Sequence, residues 1–160
     1  MTNAPRHSVS VAAVITDDHG RVLVTQRRDN GKWEPPGGIL ELEETIEDGL
    51  RREVREETGV EINPGRLTGV YKNTKLGVVA LVFRTTISHG VPGPTDETQA
   101  CEWWTPEQVT EHMAETFAIR IHDALSKGRP AVRAHDGTHI ATSSGFVESR
   151  SRPRAAQSGR

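Results

Sequence analysis

Glu53, Glu56 and Glu57 stand at i, i+3 and i+4 in a run dense with charge, so a helix there would stack their carboxylates on one face. Like charges this close repel and raise one another's pKa. Such a cluster needs compensation from Arg or Lys, or from a divalent cation, and hard oxygen ligands select Mg²⁺ or Mn²⁺. A solvated helix face laced by pairs such as Glu47 with Arg51 and Arg52 with Glu56 is the competing account of the same residues.

The elements that would position these carboxylates can be read from pattern. Thr45 with Asp48 three residues on resembles a capping box, Ile46, Leu50 and Val54 recur every four residues, and Gly59 stops the run, which predicts a helix from about Thr45 to Thr58. Gly49 inside it costs about 1 kcal/mol against Ala, and a close crossing over a strand would explain it. Upstream, Val9, Val11, Ala13 and Ile15, then Gly20, then Val22 and Val24 read as strand, turn, strand. Between Asp29 and Leu42 the breakers Gly31, Pro35, Pro36, Gly37 and Gly38 exclude helix and central strand and leave a shaped loop. Further strands are predicted at Arg66 to Lys72, Gly77 to Ile87 and Cys101 to Trp104, with helices near Glu107 to Met113 and Thr116 to Ser126. The order predicts an α+β or α/β sandwich with a mixed β-sheet.

Gly38, five residues, Glu44, seven residues and then Arg52-Glu53-Val54-Arg55-Glu56-Glu57-Thr58-Gly59-Val60 form one spaced signature. In this run the chain resembles the Nudix hydrolase family, and every fixed position of that family's motif matches. The resemblance implies an α/β/α sandwich and Mg²⁺-dependent hydrolysis of a pyrophosphate linkage in a nucleotide or nucleoside-diphosphate derivative. It makes Glu53, Glu56 and Glu57 metal-binding carboxylates, adds a backbone carbonyl near Gly37 or Gly38, and casts Arg52 and Glu44 as orienting partners. The general base falls to Glu56 or Glu57, with Glu97 contributing from the loop before the last strand. The chain has Glu43 where the family commonly has Gly, which would strain a left-handed backbone. Neither the proline that marks ADP-ribose substrates nor the tyrosine that marks dinucleoside polyphosphates falls at its place: position 76 is Leu, and Tyr71 comes too early.

For the rest of the substrate, Arg27, Arg28, Lys72 and Lys75 are candidate phosphate contacts, although each taken singly also reads as a solubilising charge. Adjacent strand residues face opposite sides, so one of Trp103 and Trp104 should be core and the other free to stack on a base, while Trp33 beside the proline loop reads as packing first and ligand second. His135 and His139 read as parts of a short hairpin over Ala131 to Ala141, turning at Asp136-Gly137, rather than as a metal pair.

The chain's 160 residues suit one domain, 1–141, followed by an Arg/Ser-rich tail, 142–160, that reads as disordered. A formal charge of −2 argues against a nucleic-acid coat or an anionic membrane surface, and no apolar run approaches the ~20 residues of a membrane span. Lacking a secretory signal and having only Cys101, the sequence points to a cytoplasmic protein. A homodimer is compatible with it. Two other functions stay open: a non-catalytic nucleotide-sensing module, against which the retained carboxylates argue, and a nucleic-acid-end processing protein, for which only the terminal arginines speak.

Overall fold

The computed structural model describes residues 3–142 and the backbone of Gly145 and Phe146. A mixed five-stranded sheet has the order β4-β1-β6-β5-β8, built from β4 (Gly37–Ile39), β1 (Ser8–Ile15), β6 (Val78–His89), β5 (Glu61–Asn73) and β8 (Ala131–His135). Beside it lies a three-stranded sheet, β3-β2-β7, of Trp33–Glu34, Val22–Arg27 and Thr98–Trp104. Helix α1 (Ile46–Thr58) covers one face. Helices α2 (Pro106–His112) and α3 (Glu115–Leu125) cover the other.

Residues Val11 to Ile15 are buried on both faces of β1, and this makes the molecule three-layered. Val11, Ala13 and Ile15 pack with Leu50 and Val54 of α1, while Ala12 and Val14 pack with Val109, Ala118 and Ile121 of α2 and α3. A strand covered on both faces loses the clean alternation of a half-exposed one. β1 runs parallel to β6 and antiparallel to β4, which holds the Gly37-Gly38 segment against Ala12 and Val11.

The breaker-rich loop thus contributes two short strands, β3 and β4, each at the rim of its sheet, where Pro and Gly do not interrupt a ladder. The short hairpin expected over 131–141 turns at Asp136-Gly137 as predicted but pairs only at its tip. β8 instead joins the main sheet in parallel with β5, and only a single bridge, His135 to Ile140, closes the turn at Asp136. The expectation of disorder from residue 142 is corrected at its start, because β9 (Ala141–Thr142) pairs with β10 (Gly145–Phe146). Residues 143–144 and 147–160 lie outside the described residues. No described helix is long and apolar enough to cross a membrane.

Candidate active site

Helix α1 begins where Thr45 accepts a hydrogen bond from the Asp48 N–H, 3.1 Å away, and it ends at Gly59, whose φ of 78° is left-handed. Leu50 and Val54 anchor the buried stripe. Glu53 and Glu57 flank it on the side toward β4, so both carboxylates are drawn inward and only 8% of each residue is exposed. Glu56, one position off that face, is exposed.

Carboxylate oxygens of Glu53, Glu57 and Glu97 lie within 4.8 Å of one another. Glu97 arrives from the turn before β7, which is braced on several sides. The Thr98 hydroxyl donates to the Glu57 carbonyl at 2.6 Å, Thr95 accepts from the Glu97 N–H, and both Nε and a terminal nitrogen of Arg28 donate to the Thr95 carbonyl. On the opposite side the Gly37 N–H donates to Glu57 at 3.0 Å. Gly38 is needed for close approach, since a Cβ there would overlap the Glu53 carboxylate, 2.6 Å from its Oε1.

Burial pushes the Glu57 carboxyl up to about 8. The Gly37 N–H works against this rise, and the neighbouring Glu34, Glu53 and Glu97 add to it. Burial also raises Glu53, opposed by Arg52. Three convergent acids with hard oxygen donors and a buried, raised carboxyl among them fit a divalent cation such as Mg²⁺.

Arg52 ties the rest together. It donates to both Glu44 oxygens (2.9 and 2.6 Å), to Glu53 (2.8 Å), to Glu56 (3.3 Å) and to the Ile39 carbonyl (3.2 Å). The paired guanidinium, helped by the Glu41 N–H, holds Glu44 down at about 2. Gly49 lets the loop sit on the helix, because a Cβ there would overlap the Leu40 side chain and come within 2.8 Å of Glu44 Oε1. The neighbour is therefore this loop rather than a crossing strand. Glu43 carries no strain, as no described non-glycine residue has a positive φ.

Other sequence candidates scatter. Arg27 lines the cleft but pairs with Asp29 at 2.6 Å and Glu34 at 3.3 Å, and Arg28 serves the Glu97 turn. Lys72 and Lys75 line neither concavity of the cleft. The expectation of one free tryptophan on β7 is corrected. Trp104 is buried with its ring centroid 4.8 Å from that of Trp33, and Trp103 is half-buried against the α1-side core. Cys101 is a packed thiol whose pKa burial raises. Tyr71 is buried and donates to Asp123 at 2.7 Å. Among the described residues His135 and His139 belong to no cluster of metal-ligating side chains.

The acidic cluster occupies one concavity of about 460 Å³, lined also by Arg27, Arg28, Asp96 and Thr98. A second, of about 310 Å³, shares Arg27, Gly37, Gly38 and Ile39 with it and continues toward α3. The two are adjoining halves of one cleft. Two of its residues, Glu34 and Arg120, were missed by sequence reasoning; a charged residue at i+3 from Phe117, on the helix's apolar stripe, was the available signal for Arg120.

The family model for the NUDIX domain matches residues 6–125. A MutT-like protein of Streptomyces ambofaciens is 55% identical over 139 residues, covering 87% of this chain and 90% of that one. A CTP pyrophosphohydrolase of Escherichia coli is 29% identical over 132 residues, covering 77% and 97%. The crystal structure of a MutT protein from Methanosarcina mazei is 28% identical, with a TM-score of 0.64, covering 76% of this chain and 94% of that one. With its signature carried on α1 and its three-layer sandwich matched by solved relatives, the chain belongs to the Nudix hydrolase family.

Proposed function

We propose that this chain hydrolyses a pyrophosphate linkage in a small nucleotide or nucleoside-diphosphate derivative, and that it requires Mg²⁺. The observation that carries the reading is the convergence of Glu53, Glu57 and Glu97 within 4.8 Å at the mouth of a cleft whose other half is largely apolar. Residues 3–142 act as one catalytic domain in this reading, since β8 pairs with β5 inside the main sheet.

Glu53, Glu57 and Glu97 would hold the ion. The Gly37 carbonyl joins them, because in an antiparallel ladder it faces the same side as its own N–H, which is turned to Glu57. When bound, Mg²⁺ offsets the charge on the non-bridging phosphate oxygens and acidifies a coordinated water. Glu97, the exposed member of the cluster, would hold the ion through one carboxylate oxygen and with the other would take the proton of the attacking water as its oxygen bonds to phosphorus and the bridging oxygen leaves with its electron pair. Arg52 fixes Glu53 and Glu56 in place and touches no substrate. Glu56 is a supporting carboxylate outside the convergent set.

A panel of nucleotides assayed with and without Mg²⁺ in ¹⁸O-labelled water, with Glu57→Gln as control, tests this. The expected outcome is Mg²⁺-dependent release of labelled phosphate product that the substitution removes. Turnover that survives both chelation and Glu57→Gln would contradict it.

A further inference from the structure

Arg120 projects from α3 into the concavity of about 310 Å³, yet nine-tenths of it is buried. Its Nε is buried with no hydrogen-bond partner. Its guanidinium sits over the rings of Phe117 and Tyr71, 4.9 and 5.3 Å from their centroids, contacts that accept charge but supply no oxygen acceptor. Among the described residues its one candidate hydrogen-bonding neighbour is His135 Nε2, 3.4 Å away. Whether that contact is a hydrogen bond depends on the tautomer of the ring. His135 Nδ1 accepts from the Gly137 N–H at 3.0 Å, so a neutral ring carries its proton on Nε2, and two donors then face each other. Burial, and after it the Arg120 charge, lower the His135 pKa and keep the ring neutral. No carboxylate or carbonyl among the described residues accepts from this guanidinium.

A buried cation without an acceptor is costly unless something else provides one. The rest of the concavity says what that is. Pro35, Ile39, Leu76, Val78, Ala80 and Phe117 make it largely apolar, its volume suits a planar ring, and Glu34 on the same wall is already paired with Arg27, so a neutral oxygen acceptor on an apolar ring fits this lining better than a hydrated anion. We propose that Arg120 is a specificity-determining residue that donates hydrogen bonds to an exocyclic oxygen of a nucleobase seated in this half of the cleft. The chain therefore prefers oxo-bearing bases to adenine. This rests on reading the acidic half as the pyrophosphate site. The device reaches beyond the family-matched residues 6–125, because His135, in contact with Arg120, stands on β8.

The probes are ITP and ATP, whose bases differ at C6, oxygen against amine, and at the adjoining N1, which carries a proton in hypoxanthine and none in adenine, so only ITP offers an exocyclic oxygen. Dissociation constants are measured by calorimetry with Ca²⁺ in place of Mg²⁺, so the result does not depend on turnover. The wild type is expected to bind ITP roughly 10- to 100-fold more tightly, the range for a buried donor left unpaired by the wrong group. Arg120→Met should collapse the ratio to near one by weakening ITP, and Arg120→Lys, which keeps the charge in the fold, should fall between. Equal wild-type affinity for ITP and ATP would overturn the inference whether or not the variants fold, as would a variant that weakens both nucleotides alike. A preference for ITP in a protein that hydrolyses nothing would uphold the base reading and sink the hydrolase reading instead.

Discussion

Glu44 and Glu57 are both carboxylates of the same signature, held within reach of the same helix, and the fold treats them in opposite ways. Glu44 receives both arms of Arg52 and stays ionised down to about pH 2. Among the described residues the Glu57 carboxylate receives only the Gly37 N–H; it faces Glu34, Glu53 and Glu97 and rises to about 8. One end of the acidic array thus carries its own cation, and in the proposed function the other receives one from outside. The difference separates scaffolding from chemistry: an acid neutralised by protein positions its neighbours, and an acid left wanting a charge is where a metal belongs.

Changes at the wanting end should have the largest effects. Glu57→Gln is expected to lower kcat/KM about 10³-fold or more, since it removes a ligand charge and replaces one of the two carboxylate oxygens by an amide nitrogen that cannot ligate. Glu97→Gln should cost about 10²-fold, chiefly in kcat, if its carboxylate takes the proton from water. At the neutralised end, Arg52→Ala should weaken Mg²⁺ affinity roughly 10- to 100-fold by freeing Glu53, with Arg52→Lys only partly restoring it because a single ammonium cannot bind Glu44 in two places. An Arg52→Ala loss as large as that of Glu57→Gln would erase the distinction between the two ends.

Stability against pH sharpens the comparison further, with a smaller effect. Glu57 has a folded pKa above its ordinary value near 4.5, so the folded state binds the proton more tightly than the unfolded chain. Its contribution is fully present below about 4.5 and is lost as pH rises through about 8. Glu53 and Glu34 shift in the same direction. The metal-free protein should therefore melt at lower temperature at pH 8.5 than at pH 5.5. Mg²⁺ should recover most of the loss, and Glu57→Gln should flatten the slope. A metal-free Tm that climbs over that interval would contradict the raised carboxyl.

Much of the acidic half was legible in the sequence because it is local. Thr45, Leu50, Val54 and Gly59 set the helix within fifteen residues, and the i, i+4 spacing then carries Glu53 and Glu57 to one side. Which of Glu56 and Glu57 turns inward was not legible, because it depends on how α1 is rotated over β1. The apolar half was largely hidden. Arg120 is informative only through its lack of an acceptor, and that depends on β8 pairing with β5 about sixty residues away in the chain. The tryptophans misled for a related reason: alternation predicts two faces for β7, but both faces are covered here, by α1 on one side and by Trp33 with α2 on the other.

The most direct measurement of the central claim is the number of protons released when Mg²⁺ binds, obtained by calorimetric titration of the wild type and Glu57→Gln in buffers of different ionisation enthalpy at pH 7. A cation that enters the cluster must displace the proton Glu57 retains, so the account predicts release of about one proton per ion in the wild type and almost none in the variant, which should also bind more weakly. Mg²⁺ binding with no proton release, or with the same affinity and release in both proteins, would contradict it.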